Sequence, residues 1–140
     1  MSVDELYQEE LLDHARHPHN CGELVGATHL ASGRNPLCGD EVMVFAILKD
    51  GIVQQLKFQG KGCVISQASA SIMTDALQGK TVAEAKSCIA QMMQSLKDGA
   101  DDFGDAPPVV QALKGVRAFP TRLKCALLAW KAIGDAFQKE

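Results

Sequence analysis

The sequence predicts an α+β protein, a small, mostly antiparallel sheet of about three strands packed against helices. Two apolar β-type runs meet at an Asp-Gly pair in the first half of the chain. A helical stretch opens the chain, and helical periodicity dominates everything after residue 63. Strands first, then helices packed on them, make an α+β domain. The chain has no internal repeat, low-complexity tract or linker, so residues 1–140 are expected to form one domain.

Each element has a local reason. Val3, Tyr7 and Leu11 recur every fourth residue, predicting an amphipathic helix over 3–17 that stops before Pro18, because the residue preceding proline avoids the α region. An irregular stretch follows, in which "ATHLAS" reads as a short edge strand. "EVMVFAILKDGIVQQLKFQG" reads as a hairpin turning at Asp50-Gly51, since glycine accepts the positive φ that tight hairpins require. Its first run, Val42 to Leu48, is apolar throughout and predicts a strand covered on both faces. The second alternates Ile52, Leu56 and Phe58 with Gln and Lys, which leaves one side wetter.

"CVISQASASIMTDALQG" predicts a helix with Ile65, Ala68, Ile72 and Ala76 on one face and Gly79 at its end. Its Ala and Ser residues leave room for another backbone to pass close. Thr81 stands three residues before Glu84, a capping-box spacing that starts the next helix. "LKDGADDFGDAP" reads as a polar loop, and "PPVVQALKG" as a short helix. The last helix begins at a permitted proline and carries Leu123, Leu127, Trp130 and Phe137 along one side.

Charge narrows the function. A formal net charge of −3 with no Lys/Arg run argues against nucleic acid as a partner. The acidic, polar start is not a signal peptide, and no apolar run approaches the roughly 20 residues that span a bilayer. The expected setting is the cytoplasm, away from membranes.

Five cysteines occur, at 21, 38, 63, 88 and 125, with no C-x-x-C pair. In a reducing compartment they are metal ligands, reactive thiols or buried apolar groups rather than disulfides. Three of them sit at junctions. Cys38 precedes the first hairpin strand, Cys63 follows the second in "GKGC", and Cys125 lies early in the last helix. A hairpin sets the start of one strand beside the end of the other, which brings Cys38 and Cys63 to one sheet edge. Cys63 would stand at a helix N-terminus, whose free N–H groups and dipole favour a negative sulfur. Arg122 and Lys124 would do the same for Cys125. Asp40 adds an oxygen, and three sulfurs with one carboxylate suit a tetrahedral zinc ion, though iron is tolerated as well.

The plainer alternative, that these cysteines are merely buried, stays open on these grounds. Cys88, with Ala85 and Met92, fits that alternative best, and Cys21 receives no role. His14, His17 and His19 form a second cluster able to take a divalent metal, but histidines gather at helix C-termini for dipole reasons alone, and that explanation is preferred. The acidic run "KDGADDFGD" lacks the spacing and closing glutamate of a calcium loop.

The segments "LYQEELLDHARHPHNCG", "NPLCGDEV", "FQGKGCVISQASASIMT" and "FPTRLKCALLAWKAI" together resemble the IscU/NifU-type family of iron–sulfur cluster biogenesis, and within it the SufU branch. The resemblance implies a compact α+β fold and zinc held by Cys38, Asp40, Cys63 and Cys125. It implies a PLP-dependent cysteine desulfurase as partner, whose persulfide sulfur is accepted and relayed to iron–sulfur assembly proteins. Cys38 matches the acceptor position, and Arg122 is assigned to orienting the acceptor or contacting the partner. The scaffold branch, which assembles a transient [2Fe–2S] cluster, carries His before the last cysteine and an LPPVK segment. Lys124 and "FPTRLK" stand there instead. The interval between Cys63 and Cys125 is also the longer one of the SufU branch, with "SLKDGADDFGDAPPVVQ" as the expected place of the extra length. A zinc-stabilised adaptor that binds the desulfurase without chemistry is the remaining alternative.

Overall fold

The computed structural model describes residues 3–36, 39–99 and 108–138. Helix α1 (Val3–Arg16) leads into a three-stranded antiparallel sheet of β1 (His29–Asn35), β2 (Asp40–Lys49) and β3 (Ile52–Lys61), in that spatial order. Helices α2 (Val64–Leu77), α3 (Val82–Asp98) and α4 (Pro120–Phe137) follow, with a 3-10 helix at Pro108–Ala118 before the last. The expected α+β class is what the chain adopts.

The hairpin turns where the sequence predicts. Asp50 and Gly51 both have positive φ, 56° and 75°, the combination whose twist matches the flanking strands. The register breaks between Ile47 and Leu48. That single extra residue on β3 flips the faces, so Val53 points inward although Leu56 and Phe58 do too, and Ile52 is left outside. The predicted in-facing set of Ile52, Leu56 and Phe58 is therefore corrected at its first member.

A second correction concerns β2. Val42, Val44 and Ala46 are buried, whereas Met43 is exposed and Phe45 and Ile47 are only half-buried. The helices cover one face of the sheet, mainly α4 over β1 and β2 and α2 over β3. A continuous apolar run gives no period with which to tell a strand covered twice from one covered once.

The core is built where the sheet meets α2 and α4. Phe58, Leu56, Ile72, Met73, Trp130 and Phe137 are fully buried, each burial contributing about 1.5–3 kcal/mol. Helix α2 is buried almost all round, and its small polar residues make close packing tolerable. Ser69 Oγ donates to the carbonyl of Ala126 (2.5 Å) and accepts from Trp130 Nε1 (3.0 Å), locking α2 to α4. Ser69→Ala strands that indole N–H in a dry interior, with an expected loss of about 1–3 kcal/mol, to be read from urea denaturation.

Helix α3 opens with the predicted capping box: the Thr81 hydroxyl accepts from the Glu84 N–H and the Glu84 carboxylate accepts from the Thr81 N–H. Those bonds hold the Glu84 carboxyl below its ordinary pKa. The helix runs on to Asp98, beyond the predicted segment, and ends at a left-handed Gly99. Cys88, Ala85 and Met92 are buried on it as expected. No helix among the described residues is long and apolar enough to cross a membrane.

Candidate metal centre

The site forms at the open end of the β2–β3 hairpin, because three elements begin or end there. Asp40 is the first residue of β2 rather than part of the preceding loop, and it pairs across the sheet with Asn35 at the end of β1. Glu41 pairs with Lys61, the last residue of β3, so the residues that follow the strand arrive beside Asp40. Cys63 is the N-cap of α2, with extended backbone angles (φ −73°, ψ 167°) and no side-chain cap of its own. Cys125 is buried in α4, one residue before the Ala126 carbonyl that Ser69 grips.

Ligand atoms of Asp40, Cys63 and Cys125 lie within 4.8 Å of one another. Cys63 N–H donates to Asp40 Oδ1 (2.8 Å), while Cys63 Sγ is 3.7 Å from Asp40 Oδ2. A tetrahedral zinc ion with bonds of about 2.0–2.3 Å spaces its sulfur and oxygen ligands by about 3.5–3.8 Å. The donor set and its spacing fit zinc with little movement. Electrostatics points the same way: Asp40 is 1% exposed, and a buried carboxylate favours a cation close by.

The neighbours leave this arrangement little freedom. A Cβ on Gly62, whose φ is +156°, would collide with Asp40 Oδ1 and stand 2.7 Å from Asp40 Cγ. The buried Asn35 directs its Nδ2 at Cys125 Sγ (3.8 Å). Nothing in the sequence reading identified Asn35; its place just before "PLCGD", at the end of a strand paired to Asp40, was the available signal.

Cys38 lies outside the described residues, so the fourth predicted donor is placed only by connectivity. Arg122 and Lys124 are both exposed in the first turns of α4. Lys124, with Arg34, Lys97 and Lys131, lines a groove of about 430 Å³ that starts at Asn35 and Pro36, the residues leading to Cys38. The acidic loop around residues 100–107 is likewise outside the described residues. Cys21 is exposed, in a bridge alongside Phe58 of β3.

The histidines, for which dipole placement was preferred over metal binding, are only partly gathered. His14 and His19 come together (ring centroids 4.4 Å apart) and meet Asp75 of α2, while His17 is exposed and not part of the group.

Fold and donor set define the class: an α+β domain with a sulfur-rich candidate metal pocket at the hairpin's open end. The chain belongs to the family of NifU-like N-terminal domains, which matches residues 6–139. It is 41% identical, over 99% of its length and 94% of the other's, to a protein of Bacillus subtilis named zinc-dependent sulfurtransferase SufU. It is 37% identical, over 96% and 94%, to the iron-sulfur cluster assembly scaffold protein IscU of Thermotoga maritima. A solved structure from Fervidobacterium islandicum, described as a putative iron-sulfur cluster assembly scaffold protein for the SUF system, superposes with a TM-score of 0.85. That pair is 30% identical, with 97% of this chain and 99% of the other covered. The family predicted from the four quoted segments is the one found.

Proposed function

We propose that this protein is a zinc-dependent sulfur acceptor, taking persulfide sulfur from a PLP-dependent cysteine desulfurase and relaying it to iron–sulfur assembly proteins in the cytoplasm. The observation that carries the reading is the convergence of Asp40, Cys63 and Cys125 within 4.8 Å, two residues from a further cysteine, in a chain similar to a zinc-dependent sulfurtransferase.

Cys38, Asp40, Cys63 and Cys125 would hold the ion, which when bound would keep the sulfurs ionised, ordered and protected from casual oxidation. Cys63 is fixed through its backbone to Asp40, and Cys125 is buried in α4, which supports assigning the acceptor role to Cys38. Its thiolate attacks the outer sulfur of the donor persulfide. A Cys38–sulfur bond forms as the donor's sulfur–sulfur bond breaks, and the donor cysteine departs as thiolate, with no net oxidation. Arg122, exposed at the start of α4, orients the acceptor or contacts the partner. The cationic groove beside Lys124 suits an acidic segment of that partner.

A transient [2Fe–2S] scaffold is the second reading, favoured by similarity to proteins named as scaffolds. One experiment separates the readings: metal content by mass spectrometry, then labelled sulfur and alanine production with desulfurase, with and without chelator. Transfer that needs zinc supports the proposal. A stable, transferable chromophore after anaerobic reconstitution supports the scaffold, and binding without raised turnover supports the adaptor.

A further inference from the structure

We infer that His14, His19 and Asp75 form a second divalent-metal site, chemically distinct from the sulfur site and independent of it. The three residues come from α1, the loop after it and α2, and their ligand atoms lie within 4.8 Å of one another. Two imidazoles and one carboxylate, with positions left for water, are a donor set for borderline first-row ions such as Zn²⁺ or Fe²⁺.

The surroundings orient each donor. His14 is buried, and its Nδ1 is paired with Ser71 Oγ at 2.7 Å, which leaves Nε2 as the nitrogen to offer a metal. Ser71 Oγ also accepts from the backbone N–H of His19 (2.7 Å), so one hydroxyl positions both histidines. Asn20 Nδ2 donates to Asp75 Oδ1 (3.2 Å) and to Thr74 Oγ1 (3.0 Å), holding the carboxylate while its Oδ2 meets His19 Nδ1 at 2.5 Å. Such supporting partners are what fix tautomer and ring orientation at metal sites. A tetrahedral ion with bonds of about 2.0–2.2 Å separates N and O ligands by about 3.3–3.5 Å. Binding replaces the His19–Asp75 hydrogen bond with the ion, and both of those side chains are exposed.

The local field suits a cation. Asp75 lies in the last turn of α2, at the negative end of its dipole, and Glu10 and Asp13 add further negative charge near His14. Asp75 is twelve residues along α2 from Cys63, about 18 Å of helix. The two sites cannot share one ion.

The test uses the full-length protein stripped of metal and titrated with Zn²⁺, and in parallel with Co²⁺, whose thiolate charge-transfer bands report the sulfur site alone. Wild type is expected to bind two equivalents, only one of which raises those bands. Asp75→Asn, which keeps the Asn20 contact, and His19→Ala should weaken the second equivalent at least about tenfold and leave the thiolate bands intact. A single equivalent in wild type overturns the inference, as does a second equivalent that survives both substitutions. Failure of the sulfur site would show instead as lost thiolate bands, so the two proposals fail separately.

Discussion

Cys38→Ala is expected to reduce sulfur uptake from the desulfurase to background while the protein still holds metal, whereas Cys125→Ala loses both. The asymmetry follows from where each sulfur is fixed. Cys125 is 3% exposed and faces Asn35 across the junction of β1 and α4. Cys63 is tied by its own N–H to Asp40. Removing either takes away a donor that the fold holds in place. Removing Cys38 leaves the described trio intact. Metal at a thousand times its Kd stabilises a folded chain by about 4 kcal/mol, and at this size each kcal/mol moves the thermal midpoint by about 3 °C. Cys125→Ala, like chelation of the wild type, should therefore lower Tm by about 10 °C, and Cys38→Ala by less. Labelled-sulfur transfer, metal analysis and calorimetry on the two variants check the pattern. Sulfur uptake that persists in Cys38→Ala would pass the acceptor role to Cys125.

Gly62→Ala is expected to break the site without touching a ligand. Its φ of +156° is hard for any residue with a Cβ and costs about 1–3 kcal/mol. The added methyl would also be driven into the Asp40 carboxyl and stand 2.8 Å from Ser66 Oγ. Asp40 can yield only by giving up the Cys63 N–H or its place near the sulfurs. Metal affinity should fall by about 10–100-fold, as when the supporting contacts of a ligand are lost. Gly79→Ala is the control: its φ is +89°, but nothing lies within 4 Å of the new methyl. It should share the backbone strain and keep the metal. Competition with a chromogenic chelator reads the difference, and equal affinities in the two variants would sink the steric argument.

The Gly62 case shows how much of the site was legible beforehand. "GKGC" announced close backbone approach and a cysteine at a helix start, and both hold for Gly62 and Cys63. The expected meeting of Cys38 with Cys63 at one sheet edge lies outside the described residues. Asn35 was invisible because its significance is a contact ninety residues away, and no local pattern encodes that. The histidines show the same limit. Spacing on α1 suggested His14 and His17, but His19, carried back by the loop, meets His14 and an aspartate of α2 instead.

The sequence by itself determined the order and kind of the elements, the Asp50-Gly51 turn, the capping box, and the residues that carry the family likeness. These depend on neighbours within a few positions, where φ preferences and apolar periodicity act. Tertiary structure alone decided which face of β2 stays open, the bulge that turns Ile52 outward, and the contact of Asn35 with Cys125. Those outcomes come from surfaces competing for burial across the whole chain, and a run of apolar residues does not say which partner will cover it.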